Sequence, residues 1–285
     1  MSENCPVSVL IPALNEASNL SACIGSVGFC DEIVVVDSGS TDGSCALARD
    51  AGATVVDFHW DGGFPKKKNW ALEHFPWRNE WVLILDADER ITPALATELK
   101  AAVASPSFDG YYVNRRFYFL DGWLDHCGYF PSWNLRFFRH RLGRYETPAA
   151  QAQTGSGDNE VHEHILLRGR TGYFSAPMEH YAFPSIAVWV EKHNRYSNWE
   201  ARAILAPTDA GPNCAMEPGL ARKRRLKSIA RALPFRPALR FLYHYFWRAG
   251  IFDGYRGYVF CRLLAFYEFL SVVKVQELKR RKQER

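Results

Sequence analysis

The sequence predicts an α/β protein built on a parallel sheet. Three observations predict it. Four short, largely apolar segments, residues 7–12, 33–36, 54–58 and 81–85, read as strands, and the unbroken runs at 33–36 and 81–85 read as strands buried on both faces. Segments of helical spacing separate them, and that alternation means βαβ units. The first, second and fourth also end in polar or acidic residues, where open parallel sheets place their ligands.

The elements follow in order. Residues 7–12 form the first strand, and Asn15-Glu16 leads into an amphipathic helix over residues 17–28, with Leu20, Cys23, Ile24 and Val27 on one face. Residues 33–36 are the second strand. It ends at Asp37-Ser38-Gly39-Ser40-Thr41-Asp42-Gly43, rich in turn formers, before a helix from Cys45 to Ala51. Residues 54–58 are the third strand. Lys66-Lys67-Lys68-Asn69-Trp70 opens another helix, and Lys66 and Lys67 read as solvated charges at its start. Residues 81–85 are the fourth strand, followed by Asp86-Ala87-Asp88-Glu89 and a helix begun by Thr92-Pro93.

The fourth strand end organises the rest. Asp86 and Asp88 stand at i and i+2, so in an extended chain they point the same way. Two hard carboxylates there suit Mg²⁺ or Mn²⁺, whose shell substrate phosphates complete. Neither the G-x-G-x-x-G fingerprint nor the P-loop pattern is present, which argues against hydride transfer and ATP hydrolysis. Carboxylates on strand end after strand end, with nearby lysines, describe a nucleotide site lacking a glycine-rich phosphate loop. Asp42 reads as a helix cap.

Bulk properties bound the function. The chain has 285 residues, 47% of them apolar and 23% charged, enough for one large domain or two. Seven scattered cysteines without a C-x-x-C pair fit buried thiols in a reducing compartment and give no zinc signal. The first strand begins by Val7, so no signal peptide is expected, and no run of about 20 uncharged apolar residues predicts a spanning helix. The net charge of +4 hides an asymmetry. Residues 220–285 hold 17 Lys and Arg against four acids, so the remainder is acidic. A basic tail on an acidic body predicts an anionic partner, and without a nucleic-acid-binding motif the membrane is favoured over nucleic acid.

Four motifs, Leu-Ile-Pro-Ala-Leu-Asn-Glu, Glu-Ile-Val-Val-Val-Asp-Ser-Gly-Ser-Thr-Asp, Lys-Lys-Asn-Trp-Ala-Leu and Asp-Ala-Asp-Glu-Arg, stand in the order and spacing of the inverting family 2 glycosyltransferases. The chain resembles the bacterial members that build lipopolysaccharide core and surface polysaccharide. Looser likeness continues through Val161-His162-Glu163, His180-Tyr181, Lys192-His193-Asn194-Arg195-Tyr196 and Phe252-Asp253-Gly254-Tyr255-Arg256-Gly257. The resemblance implies a GT-A fold, with a mixed, mostly parallel sheet and flanking helices. It implies transfer of a sugar from a nucleotide-sugar donor, UDP-linked, to a lipid-linked or lipopolysaccharide acceptor. Pro12, Asn15, Glu16 and Asp37 would line the nucleoside pocket, Lys68 and Asn69 would lie near the nucleotide, and Asp86 would face ribose or metal. Asp88 would bind the metal, approached by His180. Lys192 and Arg195, one helical turn apart, would meet the diphosphate.

Residues 1–100 thus read as the donor half and residues 101–206 as the acceptor half, with Trp133 as an acceptor contact. Residues 147–159, rich in Ala, Gln, Gly and Ser, read as a mobile loop. It delivers Glu160-Val161-His162-Glu163-His164, whose spacing does not fit a zinc protease. Sugar transfer needs a base for the acceptor hydroxyl, and Glu163 is the first choice, then Glu160, then His162. Residues 207–218 form a linker. Residues 219–285 form a basic, aromatic, amphipathic extension suited to the membrane interface, which places the protein at the inner face of the cytoplasmic membrane. Alternatives are a polyprenyl-phosphate glycosyltransferase, a nucleotidyltransferase, which would need a basic glycine-rich loop after the first strand, and a non-catalytic, membrane-associated assembly factor.

Overall fold

The computed structural model of the chain describes residues 4–147, 158, 164–205 and 235–283. It divides into two compact units, the first of residues up to Tyr118 and Phe130–Ala182, the second of Phe119–Tyr129 and residues from Phe183 on.

The first unit is a sheet covered by helices. Its elements are β1 (Cys5–Ala13), α1 (Ala17–Ser26), β2 (Cys30–Asp37), α2 (Ser44–Asp50), β3 (Thr54–Asp57), α3 (Lys67–His74), β4 (Trp81–Ile84), β5 (Glu89–Arg90), α4 (Pro93–Ala104) and β6 (Gly110–Phe119). After β7 (Gly122–Leu124), in the second unit, come β8 (Trp133–Arg139), β9 (Gly143–Tyr145), β10 (Ile165–Leu167), β11 (Thr171–Tyr173) and β12 (Met178–Phe183). Along the sheet the order is β3-β2-β1-β4-β8-β6-β12-β5. β3, β2, β1 and β4 run parallel. β8 lies antiparallel between β4 and β6. The sheet is therefore mixed, with its parallel half where the apolar runs predicted it.

Burial explains the continuous runs. Val82, Leu83, Ile84 and Leu85 are wholly buried because both faces of β4 are covered. One face packs Val9, Ile11 and Leu83 against Leu20 and Ile24 of α1 and Leu95 and Leu99 of α4. The other packs Leu10, Val82 and Ile84 against Ala71 and Leu72 of α3. Truncating such a side chain to Ala costs about 2–5 kcal/mol. α4 starts as its sequence signals: Pro93 occupies the first turn, and the Thr92 hydroxyl accepts the Leu95 amide at 3.2 Å.

The second unit is helical. α5 (Ile186–Leu205) packs on the long α7 (Gly254–Gln283), as does α6 (Arg236–Leu242). Tyr267 and Ser271 of α7 donate to Glu200 of α5 at 2.8 and 3.1 Å, and Lys274 donates to the Asn194 side chain at 2.6 Å. No helix among the described residues is long and apolar enough to cross a membrane. The linker at 207–218 and the basic run Arg222-Lys223-Arg224-Arg225 lie outside the described residues.

Candidate active site

The strand order reverses at β1, which has β2 on one side and β4 on the other. Such a switch point opens a crevice beyond the carboxyl ends of the strands. Polar groups from three elements gather there. Asp37 ends β2 and is buried. Gly39, at φ +87°, turns the chain back so that the amides of Gly39 and Ser40 each donate to Asp37 Oδ2 at 2.8 Å, and the Ser40 hydroxyl donates to Oδ1. Burial alone would raise this carboxyl, but these donors hold it below the usual range. Asp37 is therefore an ionised acceptor, suited to N–H donors such as a base imide.

Asn15 and Glu16 sit on the same rim. Asn15, at φ 56°, accepts the Thr41 amide at 2.9 Å, and its own amide donates to Ser40 Oγ at 2.8 Å. Glu16 accepts Asn19 Nδ2 at 2.8 Å. Pro12 is buried within β1, opposite Val36. Asp42 caps: it accepts the Ser44 amide and, across the loop, the Ala17 amide, both at 3.0 Å.

The lysines at the start of α3 depart from expectation. Lys66, Lys67 and Lys68 are all buried, not solvated. Lys67 Nζ donates to the Ala13 carbonyl at 2.8 Å and pairs with Asp158 at 3.0 Å, and Asp158 also accepts from Ser38 Oγ. Burial lowers Lys67 from its ordinary range while Asp158 pulls it back up. Lys66 and Lys67 look solvated in sequence, and the partners that hold Lys67 and Lys68 come from distant residues.

The acidic turn after β4 also departs from expectation. The strand stops at Ile84, and the Glu89 amide donates to the Asp86 carbonyl at 2.9 Å, closing a turn. Asp86 and Asp88 are thus not i and i+2 of an extended chain, and their partners differ. Asp86 pairs with Lys68 at 2.9 Å and Arg136 at 2.6 Å. Arg136 also meets the wholly buried Glu89 at 3.0 Å, and Arg115 lies 3.6 Å from Glu89. Glu89 Oε2 accepts the Asp86 amide at 2.9 Å. Burial opposes ionisation of Asp86, but Arg136 and Lys68 override it and hold its carboxyl well below the carboxylate range.

Asp88 faces an imidazole instead. The two-residue β5 pairs with β12, setting His180 opposite Glu89, and the Tyr181 amide donates to the Asp88 carbonyl at 2.8 Å. His180 Nε2 then lies 3.3 Å from Asp88 Oδ1. His180 Nδ1 is buried with no hydrogen-bond partner among the described residues. A carboxylate beside an imidazole is a donor set that suits Mn²⁺ or Mg²⁺ with outside oxygens completing the shell. Asp86, already matched by two fixed cations, is the poorer metal ligand of the two. No cluster of three or more His, Cys, Asp or Glu able to hold a metal exists among the described residues.

The remaining residues fall elsewhere. Asn69 uses its amide on the Tyr145 backbone, accepting the amide at 2.8 Å and donating to the carbonyl at 2.9 Å, which ties α3 to β9. Trp133, at the start of β8, is 41% exposed and stands edge-on to Tyr173, which stacks on Tyr112. Lys192 and Arg195 lie on α5 in the second unit, with Lys192 over the Phe183 ring. Glu160, His162 and Glu163, together with most of residues 147–159, lie outside the described residues. Sequence reasoning missed Arg136, Arg115 and the inward role of Glu89. The one available signal was an arginine inside the otherwise apolar stretch Leu135-Arg136-Phe137-Phe138.

A mixed sheet with a polar crevice at its switch point and an acidic turn after β4 defines a GT-A nucleotide-sugar fold. The mannosyltransferase PcManGT from Pyrobaculum calidifontis, solved with GDP-Man and Mn²⁺, shares that fold at a TM-score of 0.50 and 19% identity, over 96% of this chain and 88% of its own. The chain belongs to glycosyl transferase family 2, whose family model matches residues 8–160. It is 32% identical to the lipopolysaccharide core biosynthesis glycosyltransferase LpsC of Rhizobium meliloti (strain 1021), over 95% of this chain and 92% of that relative. It is 26% identical to a glycosyltransferase of Rickettsia felis, over 95% and 89%.

Proposed function

We propose that this family 2 glycosyltransferase moves a hexose from a UDP-linked donor to a lipid-linked or lipopolysaccharide acceptor, with inversion in a single displacement. The observation that carries the reading is the presence of two carboxylate sites with different partners at one switch point. Asp37 is an ionised acceptor for the base, and Asp88 with His180 is a metal-ready pair. The likeness to LpsC over nearly the whole chain supports lipopolysaccharide core as the acceptor class.

In this reading residues 1–100 form the donor half and residues 101–206 the acceptor half. Pro12, Asn15, Glu16 and Asp37 shape the nucleoside pocket. Asp88 and His180 would hold Mg²⁺ or Mn²⁺, which when bound stabilises charge on the departing diphosphate. Lys68 and Arg136 hold Asp86 ionised and fixed toward the ribose. Asn69 braces β9, and Lys192 and Arg195 supply positive charge for the diphosphate. Trp133 offers an exposed ring to the acceptor sugar. Glu163 takes the acceptor hydroxyl proton as the anomeric bond to the diphosphate breaks, with Glu160 and then His162 as substitutes. Residues 219–285 attach the enzyme peripherally to the inner face of the cytoplasmic membrane. The test is incubation of the protein and a lipid extract with a panel of labelled nucleotide sugars. Label from one UDP-sugar should pass to the lipid fraction, and transfer from none of them would overturn the proposal.

A further inference from the structure

The corner between α6 and α7 carries exposed aromatic rings on a fixed scaffold. After α6 the chain makes a π-type turn over Tyr243–Trp247, reverses through Arg248 and Ala249, and enters α7 by a 3₁₀ turn over Gly250–Asp253. Trp247, Phe252 and Tyr255 are 81, 78 and 76% exposed. The backbone beneath them is pinned. The Cys127 amide donates to the Arg248 carbonyl at 3.0 Å, and His244 Nδ1 meets the Cys127 carbonyl at 2.8 Å. A Cβ on Gly257 would fall 1.9 Å from the Gly250 carbonyl oxygen, so only glycine permits this close approach.

The exposed apolar surface continues along α7. Tyr255, Tyr258, Phe266, Phe269 and Val273 are exposed, and Arg262 is exposed between them. Their steps of three and four residues place them on one helix face, about 27 Å long at 1.5 Å per residue. Phe260, Cys261, Leu264, Glu268 and Ser271 form the buried face. Monomeric soluble proteins rarely leave so long an apolar strip open to water.

The charges of this segment are sorted. Residues 235–276 contain two acids, Asp253 and Glu268, and both are buried. Asp253 accepts the amides of Asp125 and His126 at 3.2 and 3.0 Å and faces His126 Nδ1 at 2.8 Å. Glu268 pairs with Arg236 and Arg240. Residues 235–276 therefore present outward aromatic rings with Arg248 and Arg262 and no carboxylate of their own, and the exposed Asp121 is paired with Arg256 at 3.4 Å. That combination complements an anionic bilayer surface, where aromatic rings enter the headgroup boundary and arginines meet lipid phosphates.

We propose that the 243–255 corner and the outer stripe of α7 form an interfacial wedge that inserts into an anionic bilayer. The proposal rests on the peripheral-membrane reading above and adds the inserting surface and its salt-insensitive, apolar part. The test is co-sedimentation of the full chain with vesicles of phosphatidylcholine, alone or mixed with phosphatidylglycerol, at low and high salt. Wild type should bind mixed vesicles best at low salt and keep part of that binding at high salt. Trp247→Ser/Phe266→Ser should weaken the high-salt binding about tenfold or more, with melting and nucleotide binding unchanged. Undiminished high-salt binding by this variant would overturn the wedge while leaving an electrostatic attachment standing. Absence of wild-type binding to any vesicle would overturn both. A wild-type dimer in light scattering that the variant dissociates, without vesicle binding, would assign the stripe to a second copy and overturn the wedge as well.

Discussion

Arg136→Met should destabilise the first unit strongly, because Arg136 is the hub of a buried charge cluster. Its guanidinium is buried, 2.6 Å from Asp86 and 3.0 Å from Glu89, and Glu89 has no exposure to water. Methionine fills much of the same volume and removes the charge. Asp86 keeps Lys68 at 2.9 Å, whereas Glu89 keeps the Asp86 amide at 2.9 Å and, among the described cations, Arg115 at 3.6 Å. Removing one partner of a buried pair costs about 3–5 kcal/mol, since the other charge is left stranded. At about 2–4 °C per kcal/mol, melting should fall by roughly 10 °C. The assay is urea unfolding at pH 7.5 of wild type, Arg136→Met, Glu89→Gln and the double variant. The neutral amide introduced by Glu89→Gln does not need the guanidinium, so the Arg136→Met cost should shrink by about 1.5 kcal/mol or more in that background. The pH dependence has a definite sign. The folded Asp86 carboxyl lies below its unfolded value, so its stabilisation is complete above about pH 4 and is lost as pH falls further. The deficit of the variant should therefore narrow under acid. A cost below about 1 kcal/mol, or the same cost in the Glu89→Gln background as in wild type, would refute this account of the cluster.

Three further outcomes follow from the same reasoning. Asp88→Asn should abolish transfer while melting shifts by less than about 1 kcal/mol equivalent, since its carboxylate lies beside His180 and is not a core packing group; near-normal turnover would remove Asp88 from the metal. Glu163→Gln should cut turnover by about 100-fold or more with donor binding retained, whereas an active Glu163→Gln beside an inactive Glu160→Gln would reassign the base. Burial beside Trp189 lowers His193 to about 4, with Arg240 and Lys192 adding to it, so its neutral form stabilises the fold fully above pH 6.5 and loses that effect as pH falls toward 4. Thermal melts should then show a loss of about 2 kcal/mol from this residue between pH 7.5 and 5, and a His193→Phe variant that keeps the full loss would count against it.

What was legible in the sequence was local. β1, β2 and β4 declare themselves because strands covered on both faces are largely apolar, whereas β3 lies at the sheet edge and is only half-buried, and Thr92-Pro93 and Asp42 declare helix starts through capping chemistry. The cluster around Asp86 was not legible, because it depends on β8 inserting antiparallel beside β4, with Leu83 opposite Phe137. No spacing within either segment encodes that register. Burial of Lys67 and Lys68 was hidden for the same reason, since Ala13, Asp158 and Asp86 are remote in sequence. The packing of α7 on α5 was likewise invisible. It makes truncation after Pro218 a poor probe of the membrane, because the cut strips the partner that Glu200 and Asn194 bind.

We propose a nucleotide diphosphate site whose base Asp37 reads and whose metal Asp88 holds. Calorimetric titration of UDP, with and without Mn²⁺, into wild type, Asp37→Asn and Asp88→Asn tests it most directly. Wild type should bind UDP more tightly with Mn²⁺, Asp88→Asn should bind UDP without any Mn²⁺ enhancement, and Asp37→Asn should lose binding in both conditions. Equal Mn²⁺ enhancement in wild type and Asp88→Asn, or UDP binding indifferent to Asp37→Asn, would contradict it.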